Sequence, residues 1–264
     1  MKKIIISDHP WQTRVAVTRD GKIQNIYFAS HAIETLERVY IKGTVTKVLP
    51  GIQTAFVDIG QEKAGFLHIS EIDRELALKK ISEYAEEISD RETPKAKRRK
   101  RPTMDIARIF KEGEPILVQV SKEPIYEKGA KLTTCFTLPG RFIVLMPNIP
   151  RIGVSKKVGD REERTRLKEL VMKNLPAGMG AIIRTTSENQ PEKDILQDIK
   201  YLVSTWRSIK RKFKQAEPKE KIHQDLPLAL QVVRDHLDDD VDEIIINDRK
   251  NSKGSIPLYK NHSP

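Results

Sequence analysis

The sequence has few of the features that identify disulfide-bonded, membrane or zinc-binding proteins. Its 264 residues include a single cysteine, Cys135, which excludes an internal disulfide and a CxxC-type zinc site made within one chain. No apolar run approaches the roughly eighteen residues needed to cross a bilayer, and the apolar run before Asp8 is too short for a signal peptide. We therefore predict a chain without a membrane span, in a reducing cytoplasm.

Familiar catalytic motifs are also missing. The sequence contains no HExxH, GxSxG, P-loop or GxGxxG pattern, and none of its six histidines has metal-ligand spacing. Paired carboxylates could hold Mg²⁺, but three consecutive aspartates cannot all face one site, so the one dense acidic cluster favours a solvated turn. This cluster comprises Asp238, Asp239, Asp240, Asp242 and Glu243. We therefore predict no catalytic and no metal-binding residue from these motifs.

Positive charge is the main compositional signal. The net charge is +11 and the pI is about 9.5, which favours a polyanionic partner such as nucleic acid over a merely solubilising lysine-rich surface. Residues 94–102 form a basic loop, which is either a phosphate-contacting arm or a solvated insertion neutralised by the acids before it. Its cations are Lys95, Lys97, Arg98, Arg99, Lys100 and Arg101.

Hydrophobic patterning predicts a mixed α+β chain. Short apolar runs on either side of Asp20-Gly21 indicate a β-hairpin, and several more short strands up to residue 70 indicate a small barrel or sandwich. Asp160 and Glu163 have the spacing of a capping box at the start of a helix through Asn174. A longer helix opens at Pro191, and its apolar stripe is typical of core packing. The stripe comprises Ile195, Ile199, Leu202, Val203, Trp206, Ile209 and Phe213.

Two groups of residues are candidates for binding nucleic acid. Phe56 and Phe66 lie on neighbouring predicted strands, where aromatic rings either stack on bases or, more commonly, enter the core. Arg184, Thr185 and Thr186 end a predicted strand, and a guanidinium beside hydroxyl groups can hold a phosphate, although such pairs are common at strand ends. The preceding segment from residue 128 to 157 contains no acid, which suits a surface that admits a phosphate.

The residues also resemble a known family. The run YIKGTVTKVLPGIQTAFVDIGQEKAGFLHISEI resembles the S1-type RNA-binding domain as it occurs in the ribonuclease E/G family, and KGAKLTTCFTLPGRFIVLMPN with GMGAIIRTT resembles that family's 5′-sensor subdomain. The resemblance implies an α+β chain in which an OB-fold barrel of S1 type is inserted in a ribonuclease-H-like subdomain and followed by an α/β 5′-sensor. The implied domains are residues 1–36 (ribonuclease-H-like, first part), 37–136 (barrel with the basic loop), 137–230 (5′-sensor) and 231–264 (ribonuclease-H-like, second part, incomplete).

The resemblance assigns roles to particular side chains. It implies that Phe56, Phe66 and Lys128 contact single-stranded RNA. In the sensor, Arg184 and Thr185 match the arginine and threonine that recognise a 5′-monophosphate.

Four further sensor residues follow from the same comparison. Gly140 and Val144 match residues that contact the terminal nucleotide. Lys156 and Lys157 stand where the family often has an arginine pair, and lysine keeps the charge but loses the planar fork.

The implied activity is that of a Mg²⁺-dependent endoribonuclease that cuts single-stranded, A/U-rich RNA in rRNA and mRNA processing and decay. The family's DVNSG-like metal motif and its zinc-bridging cysteine pair do not occur in the sequence. We therefore expect a C-terminally truncated chain that is inactive alone, without zinc, and with no basis for the family's homo-oligomer. The alternative is a non-catalytic protein that recognises 5′-monophosphate ends. The expected compartment is the bacterial cytoplasm, or alternatively the plastid stroma.

Overall fold

The chain divides into two compact units. Unit 1 combines Met1–Thr35 with Asp225–Pro264, and unit 2 is Leu36–Gln224. No helix among the residues described is long and apolar enough to span a membrane. The computed structural model describes residues 1–32, 35–89, 105–237 and 240–247, with the side chains of residues 83–89 left out.

The described residues form fourteen β-strands and five α-helices. In chain order they are β1 (Lys2–His9), β2 (Gln12–Arg19), β3 (Lys22–Ser30), β4 (Tyr40–Leu49), β5 (Thr54–Asp58), β6 (Gly65–His68), α1 (Arg74–Ser89), α2 (Ile106–Ile109), β7 (Pro115–Lys122), β8 (Lys131–Thr133), β9 (Leu138–Pro139), β10 (Ile143–Met146), β11 (Ile152–Val154), α3 (Arg161–Asn174), β12 (Gly180–Ile183), α4 (Glu192–Gln215), β13 (Lys221–His223), α5 (Leu228–His236) and β14 (Val241–Ile246). The predicted mixture of helices and strands is confirmed.

Unit 1 is a four-stranded sheet in the order β14-β1-β2-β3, in which β14 runs parallel to β1. The predicted hairpin is confirmed, since Asp20 and Gly21 both have positive φ and join β2 to β3 as a two-residue turn. Helix α5 packs its apolar side chains on one face of the sheet. The buried residues of this core are Ile4, Ile6, Val15, Val17, Val232 and Val233.

The first half of unit 2 is a small β-barrel. Its strands follow the order β4-β5-β6-β8-β7, and a pairing of β4 with β7 closes the ring. Helices α1 and α2 add Ala77, Ile81, Ile106 and Ile109 to the buried residues inside it. The small barrel predicted from the spacing of short strands is confirmed.

The second half of unit 2 is a four-stranded sheet in the order β11-β12-β10-β9. Alternate residues of β10 and β12, such as Ile143, Leu145 and Ile183, are fully buried in a core shared with α3 and α4. The predicted apolar stripe of α4 belongs to this core, except that Phe213 is only half-buried. Strand β13 continues the chain after α4 and pairs with β4 of the barrel.

The start of α3 differs in part from the predicted capping box. Asp160 caps the helix as expected, because its carboxylate accepts hydrogen bonds from the backbone N–H groups of Glu162 and Glu163. The Glu163 side chain does not close the box. It accepts instead from the Arg166 guanidinium at 2.6 and 2.7 Å and from the Asn189 N–H at 2.9 Å. A cation within reach of a buried carboxylate makes a stronger partner than a neutral backbone amide, so Glu163 joins α3 to the segment before α4.

Candidate nucleic-acid interface

An aromatic pair lies on the outer surface of the barrel. Phe56 of β5 and Phe66 of β6 stand directly opposite each other across an antiparallel pair, so their side chains share one face. Both are half-buried, whereas their chain neighbours Val57 and Leu67 point inward and are fully buried. The core interpretation of the two phenylalanines is therefore wrong, and both rings lie where a base could reach them.

Two lysines extend this pair into a row. Lys47 of β4 pairs with Phe56, and Lys131 of β8 pairs with Phe66, which gives the order Lys47-Phe56-Phe66-Lys131 across four strands. Lys47 is exposed, and the Lys131 amine is bound to the Glu71 carboxylate. The row places cations beside stackable rings, the combination that single-stranded nucleic acid requires. Motif reading missed both lysines, because only the strand register brings them next to the phenylalanines.

Lys128 reaches the same side of the barrel through a tight backbone contact. Its own N–H and C=O bond to Ile125, which makes a short turn with an exposed Lys128 side chain. A Cβ atom at Gly129 would overlap the Ala64 carbonyl, so only glycine permits the next residue to approach β6. The Ala130 carbonyl then accepts the N–H of Phe66 at 2.9 Å. The KGA segment is thus fixed next to the aromatic pair.

The predicted sensor residues meet at one edge of the second sheet. Strands β11 and β12 are parallel, so the turn with Lys156 and Lys157 and the pair Arg184-Thr185 both leave from the same edge. Strand β10 runs antiparallel to β12, so the segment just before it, from Gly140, arrives at this edge too. The Arg184 N–H donates to the Phe142 carbonyl at 2.8 Å. Residues from three separate segments of the sequence therefore converge.

Arg184 is held against the segment that precedes β10. Its Nη1 donates to the Gly140 carbonyl at 2.7 Å, and the side chain is half-buried. Thr185 is also half-buried and begins a short 3-10 turn. Within that turn, Thr186 donates its hydroxyl to the Arg141 carbonyl at 2.6 Å. These bonds fix the guanidinium, and the turn that carries Thr185, at the sheet edge.

An aspartate from α4 supports this segment, although no sequence motif marks it. Asp198 accepts backbone N–H groups from Arg141 at 3.3 Å, Phe142 at 2.9 Å and Ile143 at 3.1 Å. Gly140 lies so close that a Cβ atom would overlap the Asp198 carboxylate. The acid-free segment 128–157 therefore does have a carboxylate packed against it, and hydrogen bonds from three backbone N–H groups stabilise the charge of that carboxylate.

Val144 lies apart from the edge, within β10. It pairs with Pro139 and Ile182 on the face of the sheet that is turned away from α3 and α4. Val144 is half-buried and Ile182 is 44% exposed, so this face offers an apolar surface. Lys156 and Lys157 are exposed in their turn.

The described acids of the C-terminal cluster are engaged in structural contacts. Asp240 accepts from the Lys2 amine at 2.8 Å, Asp242 accepts the Lys2 N–H at 2.6 Å, and Glu243 pairs with Lys3 at 2.8 Å. Among the residues that the structure describes, no group of three or more His, Cys, Asp or Glu side chains could hold a metal ion. Asp238, Asp239 and the basic loop 94–102 lie outside the described residues.

Two family models and several known proteins match the chain. A model described as the ribonuclease E/G family matches residues 137–263, and a model of the S1 RNA binding domain matches residues 40–124. Ribonuclease G of Escherichia coli (strain K12) is 32% identical over 262 residues, which cover 99% of this chain and 51% of that protein. Ribonuclease G of Salmonella typhimurium (strain SL1344) is 34% identical over the same length and shares.

A third relative is longer. Ribonuclease E of Escherichia coli (strain K12) is 32% identical over 253 residues, or 95% of this chain and 22% of that protein. The chain thus spans about half the length of its ribonuclease G relatives and a smaller share of ribonuclease E.

Proposed function

We propose, because this chain belongs to the ribonuclease E/G family, that it binds single-stranded RNA on its barrel and captures a 5′-monophosphate at the edge of its second sheet, as the RNA-recognition part of an endoribonuclease. The observation that carries the proposal is the row Lys47-Phe56-Phe66-Lys131, in which two stackable rings lie between two cations. Bases stack on exposed rings while cations hold the backbone, and this mode of binding tolerates many sequences. A preference for A/U-rich single strands remains part of the proposal.

The 5′-monophosphate specificity rests on the convergence at the sheet edge. The Arg184 guanidinium presents N–H donors in a planar fork at this edge, where one of them donates to the Gly140 carbonyl, and Thr185 adds a hydroxyl, so together they can bind a phosphate through charge-assisted hydrogen bonds. Lys156 and Lys157 add positive charge without a planar fork. A terminal monophosphate carries more charge than an internal phosphodiester, whereas a 5′-hydroxyl end offers no phosphate at all.

The resemblance to this family also supports an inference about the subdomains. We infer that unit 1, whose two parts flank unit 2 in the sequence, is the ribonuclease-H-like subdomain.

The cofactor implied by the resemblance is Mg²⁺, but the described residues do not fit it, since their acids form no cluster of ligands and the C-terminal carboxylates are bound to lysines. No step of RNA hydrolysis is therefore assigned to a described residue.

The sensor is tested with oligonucleotides that differ only at the 5′ end. Arg184→Ala is expected to weaken binding of a 5′-monophosphorylated RNA by about tenfold, the order of one charged hydrogen bond, and to leave the 5′-hydroxyl RNA nearly unchanged. Arg74→Ala, an exposed arginine on α1, is the matched control. Equal losses on the two RNAs would refute the phosphate role of Arg184.

The nuclease half of the proposal needs a separate assay. The chain is incubated with 5′-monophosphorylated, A/U-rich RNA in the presence of Mg²⁺ or of a chelator, and products are resolved on a gel. Metal-dependent product supports hydrolysis by this chain. Binding without product supports the alternative of a protein that recognises 5′ ends and does not cut.

A further inference from the structure

Helix α4 carries a dense set of cations that neither the barrel row nor the sensor edge uses. From residue 199 to 216 the chain has six lysines and arginines and no acid. All six side chains are exposed, and within the described part of the chain none of them forms an ion pair. The six are Lys200, Arg207, Lys210, Arg211, Lys212 and Lys214.

Helical spacing aligns four of these cations. At 100° per residue, Lys200, Arg207, Arg211 and Lys214 fall within a sector of about 60°, and at 1.5 Å per residue they extend over about 21 Å. Ser204 lies on the same line. We name these five residues the α4 stripe. Like charges this close repel one another, so a polyanion laid along the stripe would relieve the repulsion.

A cleft lined with hydroxyl groups runs beside the α4 stripe. It has a volume of about 220 Å³ between α4 and β13, and its lining includes Tyr201, Ser204, Thr205, Ser208 and Lys212. Tyr201 is 55% exposed. Hydroxyls, a lysine and an exposed aromatic ring are groups that contact the phosphates, sugars and bases of a nucleic acid strand.

The position of α4 relates the stripe to both candidate sites. Near the start of the helix, Asp198 holds the sensor segment through the Phe142 amide. At its end, the amine of Lys42 on barrel strand β4 donates to the Ala216 carbonyl at 2.7 Å and lies 5.3 Å from the Phe213 ring centre. The stripe therefore lies on the element that contacts both the sensor segment and the barrel.

Lipid is a poorer occupant than RNA for this face. A helix that binds a bilayer surface must insert its apolar side, but the apolar side of α4 is buried in the core through residues such as Ile199, Leu202 and Trp206. The exposed side offers guanidinium and hydroxyl groups, which match phosphate by charge and by hydrogen-bond geometry.

We propose that the α4 stripe and its cleft form a third RNA contact, which holds the phosphate backbone by charge and does not read the bases. This contact rests on the proposed RNA binding of the chain and adds a surface to it. It predicts a binding affinity that depends on salt more steeply than the barrel row and sensor edge alone would give.

The test is Arg207→Gln combined with Arg211→Gln, two exposed changes that leave the core intact. The probe is a 5′-hydroxyl RNA of about 30 nucleotides, longer than the roughly 4–16 that one OB-fold barrel holds. At low salt the double variant is expected to bind about tenfold more weakly, and the slope of log affinity against log salt should fall by about 1.4, or about 0.7 for each lost phosphate contact. Circular dichroism and thermal unfolding check that the fold is unchanged.

Two controls separate position from net charge. Lys22→Gln combined with Lys173→Gln removes the same charge from two exposed sites elsewhere and should leave the slope unchanged. Arg207→Lys combined with Arg211→Lys keeps the charge and should restore the slope. If the slope is the same in the Arg207→Gln, Arg211→Gln double variant and in the wild type, the third contact is overturned. It is also overturned if the slope falls equally in the Lys22→Gln, Lys173→Gln double variant.

Other outcomes distinguish this proposal from the general one. If the α4 double variant binds normally while Arg184→Ala still loses the 5′-monophosphate preference, the third contact fails and the proposed function stands. If neither variant changes binding, both fail. Sedimentation with vesicles that contain an anionic phospholipid covers the remaining case, since vesicle binding lost in the double variant with unchanged RNA binding would make α4 a lipid-facing surface instead.

Discussion

Individual side chains at the two candidate sites are held by their neighbours rather than by their own sequence context. Phe56 and Phe66 face outward because the residues on either side of each one fill the barrel. Arg184 depends on a carbonyl of the sensor segment, and that segment depends on Asp198. Changes at single residues can therefore separate recognition from folding.

Phe56→Leu and Phe66→Leu test the stacking surface. Leucine keeps most of the apolar packing and removes the aromatic face, so each variant is expected to lose about 1–3 kcal/mol of RNA-binding free energy with little change in thermal stability. Fluorescence anisotropy with a single-stranded RNA measures the affinity. Phe28→Leu, at an exposed phenylalanine of β3, is the matched control. Normal binding by both barrel variants would rule the rings out as a platform.

Asp198→Ala tests the support of the sensor segment. The substitution leaves backbone amides of Arg141, Phe142 and Ile143 without their acceptor, so we expect a loss of about 1–3 kcal/mol in stability and a reduced preference for 5′-monophosphorylated RNA. Chemical denaturation and paired binding assays measure the two effects. Glu169→Ala on α3 removes an exposed acid and should change neither. A full 5′ preference in Asp198→Ala would mean that the segment keeps its shape without the carboxylate.

At the scale of secondary-structure elements, α3 and α4 support the sensor edge from below its sheet. Glu163 ties α3 to the chain before α4, through Arg166 and the Asn189 amide. The hydrogen bond from Arg166 is the main cause that holds the pKa of Glu163 below its ordinary value of 4.5, with a contribution from Asn189 and against the opposite effect of burial. The charged form of Glu163 is therefore the one that the fold stabilises.

This pKa shift predicts a pH dependence with a definite sign. The carboxyl has a lower pKa in the folded than in the unfolded chain, so its contribution to stability is complete above the unfolded value near 4.5 and is lost as the pH falls through the folded value. Glu163→Gln should therefore be less stable than the wild type at pH 7, and the difference should shrink below about pH 4.5. Urea denaturation at several pH values measures it. A difference that stays constant down to pH 3 would show that the charge is irrelevant.

At the scale of the molecule, the two units have separate cores. Unit 1 contains a buried arginine, Arg234, which is 5% exposed and bonds to Asp225 at 2.9 Å and to Asp235 at 3.0 Å. Burial acts to lower the pKa of Arg234, but the combined hydrogen bonds and charges of Asp235 and Asp225 outweigh this effect and hold the pKa above its ordinary value. Removing an acid from a buried guanidinium leaves its charge uncompensated, which costs folding free energy. Because the cluster lies in unit 1, we expect this loss of stability in that unit.

Asp225→Ala is expected to destabilise unit 1 by about 3 kcal/mol, because the buried Arg234 cation loses a hydrogen-bonded acid. Amide hydrogen exchange with mass spectrometry should show faster exchange in β1, β2 and α5 and unchanged exchange in β4, β5 and β7. Asp20→Ala, at the exposed turn of the same sheet, should have a much smaller effect. Equal acceleration in both units would mean that they unfold together.

Sequence reasoning succeeded where the signal was local. The Asp20-Gly21 dipeptide favours the positive φ angles that its turn requires, and the apolar period of α4 specifies the buried side of that helix. Contacts between distant residues were not accessible in this way. Strand alternation alone does not say which face is inward, so Phe56 was ambiguous, and neither the lysines beside the rings nor the carboxylate of Asp198 has a mark in its own neighbourhood.

The parallel pairing of β14 with β1 has a consequence for how the chain folds. Ile4 lies beside Ile244, so 240 residues separate two neighbours in one sheet. A ribosome that makes about 5–20 residues per second delivers β14 roughly ten seconds or more after β1. During that interval all strands of the barrel and of the sensor sheet emerge, whereas β1 has only its hairpin partner β2 on one edge. Unit 1 is therefore expected to be the last part to acquire its complete sheet, and the free edge of β1 is the place where a nascent chain is open to mispairing.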